Sequence, residues 1–184
     1  MDGDKPAAGE AGHFWRPSTR LNRLVERVLR VFPERPLRQA ELELLQHRSI
    51  DAFAQLGASR DALERVVTDT EWQMSPGRAP SDAWGGEVLR RADGPPYVVL
   101  YRDSALTRLP GRWLFRAASQ LTVDHMFGHL YEYHCGAEDW GEEVATRWQF
   151  RALRQRGGVV NNATAAVMAL TSRFHKQIPL SNYG

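Results

Sequence analysis

Residues 124–148 read DHMFGHLYEYHCGAEDWGEEVATRW, and this stretch decides how the rest of the chain is read. His125 and His129 lie four residues apart inside a strongly helical segment. That spacing puts both imidazoles on one helix face, one turn apart, where they can share a metal ion. Helix stiffness would hold them near ligand geometry before any ion arrives. Glu142 lies at the start of the next helical stretch, beyond Gly136, where a turn can fold the second helix back beside the first. Two histidines and one carboxylate would hold zinc as a +1 site with an open position. Each piece also has a plainer reading. The pair fits histidines on any helix face, and Asp139-Trp140-Gly141-Glu142 fits a capping box with Asp139 as N-cap and Glu142 at N3.

Working outward, the periodicity predicts one long helix from about Arg112 to His134, ended by Gly136. A second follows from about Trp140 to Gln155, stopped by Gly157-Gly158, and a third from about Asn162 to His175. Before them lies a β region. GEVLRRADGPPYVVLYRD reads as two strands joined by the turn ADGPP, with Tyr97–Tyr101 the firmest strand. Residues 66–73 suit a further strand, SPGRAPSD suits a loop, and 82–91 would also suit a short helix capped by Ser81. The first part of the chain is helical. An amphipathic helix spans Ser18–Phe32, with Arg20, Arg23, Arg27 and Arg30 opposite its apolar face, and ends at Pro33. Further helices are expected at Leu37–Gln46, at Ile50–Leu56, and at Asp61–Val67 behind an N-cap at Ser59. The expectation is a mostly helical α+β chain. Residues 1–13 form a disordered tail and 14–184 a single domain, with a helical part at 14–59, a core at 60–156 and a C-terminal helix at 157–184.

Composition narrows the function classes. The chain has 184 residues and a net charge of +2, which argues against a general polyanion binder. One cysteine, Cys135, excludes an intramolecular disulfide. No apolar run nears the length of a membrane span, and the N-terminus lacks the order of a signal peptide, so a cytoplasmic protein is expected. The Arg stripe on the first helix and Arg147, Arg151, Arg154 and Arg156 could face nucleic acid. Both fit solvated helix faces better, and nucleic acid is not the expected partner. A second metal reading through His129, His134 and Cys135 fails on spacing, because residues five or six apart do not share a helix face. Trp140 and Trp148 are expected in the core rather than in a binding cage.

Taken together, the stretch resembles the zincin-like, gluzincin-type zinc metallopeptidases, which carry HExxH on one helix and a Glu on the next. The matching pieces are His125-Met-Phe-Gly-His129 and Glu142-Glu-Val-Ala145-Thr146, with Gly128 where small members carry Gly. The resemblance covers about residues 60–155. It implies a minimal zincin-like domain whose small β-sheet packs on the metal-site helices, Zn2+ on His125, His129 and Glu142, and a peptide or protein segment bound along the strand near Val98–Tyr101. It also exposes a departure. The Glu of HExxH is the general base, and here Met126 stands in its place and can neither take nor give a proton. Glu143 is the candidate substitute base from the second helix, while Asp124 points to another side and Glu132 lies too far along the axis. Thr146 replaces a residue that would support a histidine ligand. The expectation is therefore a metal-binding, degenerate or impaired metallopeptidase acting through binding. An active zinc-dependent hydrolase using Glu143, or a non-metal interaction protein using its Arg-rich helix, stands as the alternative.

Overall fold

The computed structural model describes residues 27–79, 85–104 and 106–174, with side chains to 166. The expected N-terminal tail, Arg20, Arg23 and His175 lie outside these residues. The element order is α1 (Gln39–Gln55), α2 (Arg60–Thr68), β1 (Glu71–Arg78), β2 (Gly86–Leu89), β3 (Tyr97–Asp103), a short 3-10 turn (Leu106–Arg108), α3 (Arg112–His134), α4 (Glu142–Arg156) and α5 (Val159–Phe174). The chain is α+β and mostly helical.

Local signals explain most boundaries. The Ser59 hydroxyl accepts from the Ala62 N–H and caps α2. Gly136 adopts φ +75°, and the Ala137 N–H returns to the Glu132 carbonyl, which closes α3. Two predicted helices are one: α1 runs unbroken through Ser49, whose hydroxyl donates to the Leu45 carbonyl from inside the helix. The first strand sits later than expected. The helix continues to Thr68, and β1 takes up Ser75, Pro76, Gly77 and Arg78, which read as loop. β1 is an edge strand, and its register shifts between Ser75 and Arg78, which accommodates a proline that cannot complete a ladder. Residues 86–89 are strand rather than helix.

The sheet order is β1-β3-β2. β3 runs parallel to β1, with Trp72 opposite Val98, and antiparallel to β2, with Val88 opposite Val98. β3 is thus the central strand. Its backbone is paired on both sides along Val98–Tyr101, so this strand is not an edge of the sheet. The strand edge beside α3 belongs to β2.

One face of the sheet packs on α3. Val98 and Leu100 join Leu42, Phe53, Leu63, Val66, Val123, Phe127 and Leu130 in the main apolar cluster. Phe53 stacks on Trp148 at 4.9 Å and meets Phe127 edge-on at 6.1 Å. Trp148 is half-buried and packs against this cluster, which Trp140 does not join, and the Trp148 indole N–H donates to Glu132 at 2.7 Å. This packing occupies the Glu132 carboxylate and ties α3 to α1 and α4.

Candidate metal centre

α3 and α4 come together over a small-residue contact. A Cβ built on Gly128 would sit 2.7 Å from the Ala145 Cα and 2.9 Å from its carbonyl oxygen. Only glycine permits this approach, and the approach lays the first turn of α4 on the histidine face of α3. Glu142 begins α4 behind Gly141 at the N-cap, so the expected capping box is not formed. Asp139 instead accepts from the Gly141 N–H at 2.9 Å, a short turn two residues earlier. The Glu142 carboxylate is left to face the histidines.

His125 Nε2 lies 3.0 Å from one Glu142 carboxylate oxygen, and His129 Nε2 lies 3.4 Å from the other. The two Nε2 atoms are 3.2 Å apart. Zinc bonds of about 2.0–2.1 Å in a tetrahedron give ligand–ligand edges of about 3.3–3.4 Å. The separation of the two Nε2 atoms is close to such an edge, each Nε2 faces a different oxygen of the one carboxylate, and the three side chains offer ligand atoms within 4.8 Å of one another. Among the described residues, these three form the one group of His, Cys, Asp or Glu side chains arranged to hold a metal ion. The structure thus brings the sequence-predicted ligands together.

Protonation supports the same use. His129 Nδ1 lies 2.6 Å from the Trp140 carbonyl oxygen. A carbonyl only accepts, so Nδ1 carries the hydrogen and Nε2 of the neutral ring presents a lone pair. That lone pair faces His125 Nε2 and a carboxylate oxygen. At most one of these neighbours carries a proton for it, and a cation in their midst satisfies all three. Burial works against the Glu142 carboxylate, yet the His125 and His129 rings beside it outweigh that cost and hold the group well below the ordinary carboxylate range. Glu142 is therefore in its ligand form at neutral pH. His125 and Glu142 remain partly exposed, which leaves one side of the group open.

The remaining candidates fall elsewhere. The Met126 side chain is buried among the core residues, and no carboxylate replaces it. Glu143 turns outward and accepts from Arg147 at 3.2 Å on its own helix, away from the metal group. Asp124 is fully buried on another side of α3, where it pairs with Arg156 and accepts from Ser49 at 2.7 Å. His134 Nε2 lies beside the Thr70 hydroxyl at 3.2 Å, and Cys135 is exposed past the helix end. Thr146 is buried in α4. Arg151 and Arg154 lie over Trp148 and Phe150, so much of the second basic stretch is engaged within the chain. Among the described residues, no helix is long and apolar enough to cross a membrane.

Sequence reasoning missed the Trp140 carbonyl, because a backbone acceptor leaves no signature in residue type. It also passed over the reach of Arg90. Its guanidinium lies 4.0 Å over the Trp140 ring, at the end of β2. Compared with protein-family models, with curated proteins and with solved structures, the chain matches none.

Proposed function

We propose that the chain is a zincin-like metal-binding protein that holds a zinc ion through His125, His129 and Glu142, acts by binding, and is degenerate or impaired as a peptidase. One observation carries the proposal: His125, His129 and Glu142 bring their ligand atoms within 4.8 Å of one another while the Trp140 carbonyl fixes the His129 tautomer that a metal needs. A bound zinc ion would supply a Lewis acid with an open position for a carbonyl, carboxylate or similar donor. The chain's own residues supply the rest. His125 and His129 are pre-aimed by α3, Glu142 brings the negative charge, and Gly128 lets α4 close on α3. Met126 gives no proton acceptor, and Glu143 is spent on Arg147, so the geometry favours binding over turnover.

Elemental analysis of the purified, zinc-loaded protein beside His129→Ala tests the metal. One zinc per chain that disappears in the variant is the expected result. No zinc in the wild-type protein, with unchanged thermal stability on adding chelator, would remove the site. Peptidase impairment has its own test. Wild-type protein should turn over an unstructured protein such as casein weakly or not at all. Strong wild-type turnover abolished by chelator would favour an active hydrolase instead.

A further inference from the structure

We infer that Arg90 selects a carboxylate-bearing peptide at the metal centre, an inference that rests on the metal-site reading above. Among the described residues β2 pairs with β3 alone, and β2 also touches α3. Arg90 follows directly on β2. Its guanidinium sits 4.0 Å over the Trp140 ring, a close cation–π contact that fixes its position without using its N–H donors. The same Trp140 gives its carbonyl oxygen to His129 Nδ1. One residue therefore ties the guanidinium to the ligand set.

The donors of Arg90 are unclaimed. Arg90 has no hydrogen-bond or ion-pair partner among the described residues, although it carries five N–H donors. Three carboxylates, on β2, on β1 and in the turn before α4, are committed elsewhere. Glu87 accepts from the Tyr101 hydroxyl, Glu71 pairs with Arg91, and Asp139 caps Gly141. Arg91, the next residue, shows the contrast: it lies 4.6 Å over Tyr97 and also holds an ion pair. A planar fork held on the indole of the residue whose carbonyl meets His129 suits a carboxylate that it can bind in bidentate fashion. A peptide lying along the β2 edge would place a donor at the metal and an acidic side chain or C-terminal carboxylate at Arg90.

Cobalt-loaded protein gives the test, because its visible spectrum reports a ligand entering the metal sphere. The probes are acetylated hydroxamates of Asp, Asp-Gly and Asp-Gly-Gly, each paired with its Asn counterpart. The spacers move the carboxylate stepwise away from the metal-binding end. At low salt, one spacer length should favour Asp over Asn by about fivefold, the scale of a partly exposed ion pair. That preference should shrink with added salt and vanish in Arg90→Met, which keeps much of the side-chain stem, with cobalt content unchanged. Equal binding of every Asp and Asn pair would overturn the inference, as would a preference that survives in Arg90→Met or hydroxamates that leave the cobalt spectrum unmoved. Failure to take up cobalt or zinc at all would remove the metal reading itself, and this inference with it.

Discussion

Asp124 and His125 are neighbours in sequence, yet they anchor two unlike polar clusters on α3. The first is closed. Asp124 accepts from Ser49 at 2.7 Å, from Gln120 at 3.1 Å and from Arg156 at 2.6 Å, and Arg156 also donates to the Arg48 carbonyl. Charge meets charge, and nearly every donor has its acceptor; only the Gln120 side-chain oxygen lacks a partner. The second cluster is open. Two ring nitrogens and the two oxygens of one carboxylate lie 3.0–3.4 Å from one another in the contacts they make, with too few hydrogens between them. A closed network holds a fold together. An open one that the surrounding structure maintains points to something it binds.

The sharpest way to break this comparison is Arg156→Met. It leaves the Asp124 charge buried without its main partner and should cost about 3–5 kcal/mol in urea unfolding. A loss under about 1 kcal/mol would show that the Asp124 cluster is not the structural lock described here. The opposite behaviour is expected at the open cluster. His129→Ala should cost the metal-free protein little, but it should erase the stabilisation that zinc gives, about 2.7 kcal/mol at a hundredfold excess over Kd. Equal stabilisation of both proteins by zinc would place the ion elsewhere. Acidification should also release zinc, because protons compete for the imidazoles and the carboxylate.

Gly128→Ala probes the contact that makes the open cluster possible. The added methyl meets the Ala145 backbone, so it should destabilise by about 1–3 kcal/mol and weaken zinc binding in the same variant. Retained zinc affinity would mean that Glu142 reaches the histidines without this close helix contact. The smallest effect is expected at His134, which sharpens the contrast between a spectator histidine and a ligand. Burial, followed by the nearby Arg65 charge, holds its imidazole below the ordinary pKa of 6.5. As pH falls below 6.5, the unfolded chain takes the proton first, so stability declines until the folded-state pKa is passed. His134→Gln should flatten that part of the pH–stability curve, with zinc content unchanged. An unaltered slope would show that the ring is already free to ionise in the fold.

Much of this was legible in the sequence for identifiable reasons. The span of α3 followed from its long helical pattern and from Gly136, and the β2–β3 hairpin from the ADGPP turn. The ligand set His125, His129 and Glu142 was legible as well, because four-residue spacing on a helix fixes two of its members locally. β1 was less so. Its Ser-Pro-Gly run is tolerated only because the strand lies at the sheet edge, a fact of pairing rather than of residue type. The continuity of α1 through Ser49 was hidden for a similar reason: its stabilising partner, Asp124, is 75 residues away.

The sequence by itself determined the helices, the paired imidazoles and the absence of a carboxylate at Met126, since all of these depend on local spacing and side-chain chemistry. Tertiary structure decided the rest. Packing of Gly128 on Ala145 brought Glu142 to the two histidines, strand order put β3 at the centre of the sheet and β2 at its edge, and the fold set the Trp140 carbonyl against His129 and the Arg90 guanidinium over the Trp140 ring. Contacts of this kind join residues distant in sequence or rely on backbone atoms, and neither carries a local signal that a residue pattern can reveal.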